Sequence, residues 1–208
     1  GIGNLQILRE TFSDEKVLGG VTNHGATILE WGHIRHAGKG ETIIGRVDGK
    51  IIGSVRIISQ VFNKAGIETK ISKDIESVIW SKLIINVGIN ALTAITKLPI
   101  GRLREYDGTK EILRATVQEA VKIAKRKKIK LLYDDPLQKV ESVARLTGEN
   151  ISSMLQDVLK KKKTEIDYMN GAITRQGKSL NLPTPYNETL TNIIKTIEAT
   201  YDFKLKDR

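Results

Sequence analysis

Residues 77–96, SVIWSKLIINVGINALTAIT, are a helix-length apolar run with one charged residue, Lys82. At about 100° per residue, Lys82, Asn86 and Asn90 fall at i, i+4 and i+8 on one drifting face, which Thr93 continues at i+3. The other faces carry Val78, Ile79, Leu83, Ile84, Ile85, Val87, Ile89, Leu92 and Ile95. A helix apolar nearly all round belongs in an interior. Its polar stripe must then line a cleft or meet polar partners, because an unpaired buried polar group costs roughly 1–3 kcal/mol. Desolvation lowers the pKa of a lysine in such a place towards neutrality, which makes it a usable proton donor at physiological pH.

Two plainer arrangements fit the same run. One is a transmembrane helix, but a central lysine and two asparagines are expensive in hydrocarbon and no second apolar segment follows, so no membrane is expected. The other is a satisfied polar seam in a helical core, with Lys82 paired to a distant carboxylate; spacing alone favours the seam.

At 208 residues the chain is long enough for one large domain or two small ones. The absence of cysteine excludes disulfides and thiolate metal sites and fits a reducing compartment. No secretory signal opens the sequence, so a soluble cytoplasmic protein is expected. The net charge of +10 invites an anionic partner. Its basic runs, residues 125–130 (KRKKIK) and 160–163 (KKKK), attach to helical patterns and read as solvated faces. Aromatics make up 5%, too few for a base-stacking platform, so a small anion is expected rather than nucleic acid.

Gly1-Ile2-Gly3-Asn4 precedes a helix-like stretch at 5–10, and the fuller GxGxxG fingerprint occurs nowhere. Residues 17–47 are β-rich, with short runs at 17–22, 26–31, 34–36 and 42–44 separated by glycines. His24, His33 and His36 all lie here. In strand geometry His33 and His36 point to opposite faces, no Asp or Cys completes a metal set, and all three read as surface or cleft residues. Residues 51–65 have helical periodicity through Ile52, Val55, Ile58 and Phe62 with Gly66 as the stop, and 67–71 reads as a strand. From residue 74 onward helices are expected at 74–97, 107–128, 136–147, 151–163, 165–176 and 185–203, which places a domain boundary near Ser72.

Two further stretches carry chemistry-bearing residues. In Gly148-Glu149-Asn150-Ile151-Ser152-Ser153, Asn150 reads as an N-cap with Ser153 at N3, where free N–H groups favour an anion; an ordinary capped helix explains the same letters. In the stretch from Lys163 to Gly171, Glu165 and Asp167 follow a lysine run at an expected helix start, which dipole compensation also explains.

The combination is more specific than its parts. WSKLIINVGINALTAIT (80–96), ENISSMLQDVLKKKKTEIDYMNGAI (149–173) and PTPYNETL (183–190) closely resemble the ketopantoate reductase (2-dehydropantoate 2-reductase) family. Gly1-Ile2-Gly3 and the glycine-punctuated sheet to Gly45 resemble the end of that family's nucleotide domain. The resemblance implies an α/β remnant of a Rossmann-type nucleotide domain over 1–72, then an all-α helical substrate domain over 73–208, with the site between them. It implies reduction of 2-ketopantoate to pantoate, for pantothenate and coenzyme A synthesis, with NADPH or alternatively NADH. A homodimer is compatible with the helical half.

By the same resemblance Lys82 is the catalytic lysine that protonates the carbonyl oxygen, and Glu165 is an acidic residue near it. Asn86 and Asn90 orient the substrate, Asn150 and Ser153 bind its carboxylate end, and Gly1 and Gly3 lie on the cofactor side. The family's βαβ unit with GxGxxG, and an asparagine before the glycine matching Gly1, do not occur in this sequence, so the resemblance implies an N-terminally truncated chain that is inactive alone. A related 2-keto-acid or β-hydroxyacid reductase, or a non-catalytic basic binding protein on the same scaffold, are the alternatives.

Overall fold

The computed structural model describes residues 1–203. It divides into two compact units, Asn4–Ile79 on one hand and Gly1–Gly3 with the chain from Trp80 onward on the other. The described chain is mostly helical with a small sheet.

In the first unit, α1 (Asn4–Thr11) leads into β1 (Leu18–Thr22), the hairpin of β2 (Gly25–Glu30) and β3 (His33–Gly38), β4 (Thr42–Arg46), α2 (Gly53–Lys64) and β5 (Thr69–Ile71). The sheet has the order β1-β4-β5; β1 runs antiparallel to β4, pairing Gly20 with Ile44, and β5 runs parallel to β4, pairing Thr42 with Thr69. A parallel pair needs a crossover, and α2 provides it. Asn63 fixes the return: its Nδ2 donates to the Thr69 carbonyl at 2.9 Å and its Oδ1 accepts the Thr69 N–H at 3.0 Å. The strand expected at 67–71 is shorter because the Ile67 N–H is spent on the Phe62 carbonyl at 2.9 Å, closing the helix beyond Gly66 (φ +81°). Of the histidines, His24 Nδ1 meets His36 Nε2 at 3.0 Å, and His33 faces Glu30 at 3.3 Å. Among the described residues no three His, Cys, Asp or Glu side chains are grouped to hold a metal.

In the second unit the helices are α3 (Ile75–Thr96, of which residues from Trp80 belong here), α4 (Asp107–Arg126), α5 (Pro136–Leu146), α6 (Ser153–Leu159), α7 (Asn170–Ser179) and α8 (Pro185–Ala199). They enclose one core in which Val87, Ala91, Leu103, Val117, Ala120, Ile123, Val140, Ile173 and Ile194 are fully buried. Among the described helices α3 alone is long and apolar enough to cross a membrane, and most of it is buried within the fold.

The helix expected at 185–203 stops at Ala199, and two others depart further from expectation. The one expected at 151–163 spans only Ser153–Leu159. Lys161 turns left-handed (φ 52°), its N–H bonds the Val158 carbonyl at 3.1 Å and the Lys162 N–H bonds the Asp157 carbonyl at 2.8 Å, a closed Schellman end that releases the lysine run to solvent. The one expected at 165–176 is a 3-10 turn, Ile166–Tyr168, followed by α7, with Met169 at φ −114°, ψ −103° between them. The break turns Met169 and Asn170 inward, where both are buried against the bundle.

Candidate functional site

α3 carries its polar residues one per turn. Lys82 and Asn86 are half-buried, Asn90 is 6% exposed and Thr93 is fully buried. Burial lowers the Lys82 pKa below the ordinary lysine value, and the charge of Glu165 acts in the opposite direction. Glu165 precedes the 3-10 turn, its carbonyl accepting the Tyr168 N–H at 2.9 Å, and its carboxylate takes the Gly1 amino group at 3.2 Å. The Ile2 N–H bonds the Tyr168 carbonyl at 2.9 Å. A Cβ on Gly1 would collide with that same carbonyl, and Gly3 has φ +117°. The first three residues therefore lie on the turn that carries Glu165.

One and two turns beyond Lys82 the second cluster begins. Asn90 Nδ2 lies 3.5 Å from both Ser153 Oγ and Met169 Sδ. The contact with Ser153 sits at the outer limit of hydrogen bonding, and a thioether sulfur is a weak acceptor, so the amide is oriented without being consumed. Ser153 itself is exposed.

The N-cap of α6 is Ser152, not Asn150. Ser152 Oγ accepts the Leu155 N–H at 3.1 Å, which makes Ser153 the first helical residue rather than the third. A tertiary contact decides between the two good capping residues: Ser152 Oγ also meets Thr93 Oγ1 at 2.6 Å in the core. Asn150 sits in the preceding loop, its carbonyl accepting the Ile100 N–H at 3.0 Å and its own N–H reaching Thr147 at 2.9 Å. Among the described residues no hydrogen bond ties the Asn150 side chain to Asn86 or Asn90.

Three residues of this neighbourhood were not singled out by sequence reasoning: Ser152, Met169 and Asn170. Asn170 is fully buried, its Nδ2 donating to the Val87 carbonyl and to Asn187 Oδ1, each at 3.1 Å. The available signal was a pair of asparagines, Asn170 and Asn187, each followed four residues later by a threonine whose hydroxyl returns to the asparagine carbonyl.

A cavity of about 650 Å³ lies elsewhere, along α5, lined by Arg104, Tyr133, Asp134, Lys139, Glu141 and Arg145 among others. It includes none of the α3 polar residues, and its lining carries charges of both signs. The polar face of α3 instead offers an amine whose pKa is lowered by burial and raised by the charge of Glu165, then amides and a hydroxyl. Such a set can give a proton to an oxygen that is gaining negative charge and hold polar groups at fixed distances from it.

Comparison with known proteins gives a consistent answer. Residues 74–198 match the family described as ketopantoate reductase PanE/ApbA C terminal, and residues 1–49 match ketopantoate reductase PanE/ApbA. The chain is 36% identical over 200 residues to the 2-dehydropantoate 2-reductase of Archaeoglobus fulgidus, covering 96% of this chain and 66% of that protein. It is 33% identical to the enzyme of the same name from Halobacterium salinarum, covering 94% and 64%. Among solved structures it is similar to a PanE/ApbA family ketopantoate reductase from Ralstonia eutropha, with TM-score 0.88, 32% identity and coverage of 96% and 65%. It is also similar to D-mandelate dehydrogenase in complex with NADH, with TM-score 0.89, 27% identity and coverage of 96% and 68%. The chain thus spans about two thirds of the length of these relatives.

Proposed function

This chain belongs to the ketopantoate reductase family, and from that premise we propose that it supplies the substrate-binding and proton-donating part of an enzyme that reduces 2-ketopantoate to pantoate. The observation that carries the proposal is Lys82: an amine on a buried helix, its pKa lowered by burial and opposed by Glu165, on the same face as Asn86 and Asn90. In this reading residues 1–72 are the C-terminal part of the Rossmann-type nucleotide-binding domain and residues 73–208 the helical substrate domain; the compact units part a little later, between Ile79 and Trp80, with Gly1–Gly3 counted with the helices.

The Lys82 amine gives a proton to the ketone oxygen as negative charge develops there, and before that donates a hydrogen bond that polarises it. Glu165 keeps the amine protonated to higher pH than burial alone would allow. Asn86 and Asn90 hold the keto and hydroxyl oxygens, since an amide offers a donor and an acceptor together. Asn150 and Ser153 take the carboxylate end through their side chains; a seven-residue helix contributes little dipole of its own.

NADPH is the proposed cofactor, with NADH as the alternative, and when bound it supplies the hydride to the carbonyl carbon. Gly1 and Gly3 are the proposed cofactor-side residues; Gly1 is packed on the Tyr168 carbonyl and Gly3 keeps a backbone (φ +117°) that a side chain would strain. No pyrophosphate-cradling GxGxxG occurs in the sequence.

A second reading, reduction of a different 2-keto acid, is supported by the likeness to D-mandelate dehydrogenase. The test is NADPH oxidation by the protein together with its nucleotide-binding part, using ketopantoate and phenylglyoxylate in parallel. Preference for ketopantoate in kcat/KM supports the first reading, and preference for the aryl keto acid supports the second. Wild-type turnover by Lys82→Ala would sink both.

A further inference from the structure

We infer that Asn170 is a positioning residue, which holds the turn carrying Glu165 against the helix carrying Lys82. The inference rests on the roles proposed for those two residues. Glu165, Met169 and Asn170 belong to one short connection, which meets α3 twice, through the Asn170 amide on the Val87 carbonyl and the Met169 sulfur at the Asn90 amide, while the charge of Glu165 raises the Lys82 pKa. Of the two contacts, Asn170's is the one made by a fully buried side chain to backbone, so it fixes the register of the turn along the helix.

The direction of the Asn170 amide follows from its neighbours. Glu119, buried on α4, accepts the Tyr186 N–H at 2.9 Å, the Asn187 N–H at 3.0 Å and Asn187 Nδ2 at 2.7 Å. Asn187 Nδ2 also donates to the Thr116 carbonyl at 3.1 Å. With both amide protons committed to acceptors, Asn187 can present only its oxygen to Asn170. Asn170 must therefore donate to Asn187 and to the Val87 carbonyl, which itself can only accept. A flipped amide would set oxygen against oxygen at both places. The carboxylate of Glu119 thus dictates, through two asparagines, which way the contact on α3 points. The arrangement leaves Asn170 Oδ1 buried without a hydrogen-bond partner, a cost that the orientation imposes.

The test reads Lys82 directly, as the titration of its side-chain amine by NMR in this chain without substrate or cofactor. Glu165 raises the Lys82 pKa, so a displaced Glu165 must lower it. Asn170→Ala is expected to move the Lys82 midpoint down, in the same direction as Glu165→Gln, and the Glu165→Gln/Asn170→Ala pair is expected to move it no further than Glu165→Gln alone. Asn170→Ser, which keeps one proton for the Val87 carbonyl, is expected to give a smaller shift, and it carries the test should the alanine variant not fold. A folded Asn170 variant with the wild-type Lys82 midpoint, or shifts that add in the double variant, overturns the inference. Because no turnover is measured, failure of the proposed reaction with this coupling intact counts against the function alone.

Discussion

Thr93 Oγ1 on α3 lies 2.6 Å from Ser152 Oγ at the start of α6, and both residues are buried. Thr93 gives its one hydroxyl proton to the Asn90 carbonyl at 2.9 Å, so Ser152 is the donor of the pair, and its lone pairs remain for the Leu155 N–H. A directed run of hydrogen bonds therefore joins the first turn of α6 to the backbone of Asn90. The turns bearing Ser153 and Asn90 are set by the same two hydroxyls.

Ser152→Ala removes the cap and the donor together. The expected loss is about 1–2 kcal/mol, read from the urea midpoint. In the complete enzyme the same variant should raise the ketopantoate KM several-fold with little change in kcat, because Ser153 moves while Lys82 does not. A KM equal to wild type in a destabilised variant would separate the cap from the substrate site.

Lys82 should carry opposite signs in stability and activity. Its folded pKa is below the unfolded value of 10.5, so the unfolded state binds more protons between the two and stability rises with pH through that window. Below the folded pKa the penalty of burying the charge is fully present. Lys82→Met is thus expected to be more stable than wild type at neutral pH, with the difference shrinking as pH approaches 10.5. Its turnover should fall by roughly 10²–10⁴-fold. Urea melts at neutral and alkaline pH, alongside the NADPH assay, check both signs; a destabilised variant at neutral pH would mean that Lys82 is held by partners strong enough to outweigh its desolvation.

The polar face of α3 was legible because helical periodicity is a local property: the spacing of Lys82, Asn86 and Asn90 places them on one side whatever else the chain does. The antiparallel and parallel pairings of β4 were not, although the glycine-separated runs marked the strands themselves. The position of the α6 cap was misread because Asn150 and Ser152 are equally good caps locally, and only the contact with Thr93, 59 residues away, chooses between them. Asn170 escaped notice for a related reason. Its role depends on Val87 and Asn187, 83 and 17 residues away, and the threonine four residues on is too weak a local mark to separate it from a surface asparagine.

In the first unit, Arg46 is 5% exposed and forks onto Asp48, with Nε–Oδ1 at 2.8 Å and Nη2–Oδ2 at 2.6 Å, while Nη1 donates to the Glu15 carbonyl at 2.9 Å. The hydrogen bonds from Arg46 hold the Asp48 carboxyl far below the usual carboxylate range, against the opposing effect of burial. A lowered folded pKa contributes stability that is complete above the unfolded value of 3.8 and disappears as pH falls through the folded one. Asp48→Ala should therefore destabilise the protein at neutral pH, leaving a buried guanidinium without its fork, and converge on wild type only in strong acid. Urea midpoints across the acid range decide this; a gap that does not change with pH would assign the effect to packing.

Gly88 faces away from Asn86 and Asn90, and a Cβ there would stand 2.7 Å from Val117 Cγ2 and 3.2 Å from Val140 Cγ1. Two effects compete in Gly88→Ala. Helix propensity favours alanine by up to about 1 kcal/mol, whereas overpacking a tight core costs about 1–3 kcal/mol. The first contact is closer than side chains normally allow, and valines are stiff about χ1, so the packing cost should win and the variant should lose about 1–2 kcal/mol. Removing the obstacle reverses the balance: Gly88→Ala combined with Val117→Ala should be more stable than the sum of the two single changes predicts. If Gly88→Ala alone raises the urea midpoint, α3 does not approach α4 as closely as the structure has it. The same displacement would move Asn86 and Asn90 on the opposite side of the helix, so a raised KM for ketopantoate should accompany the loss of stability.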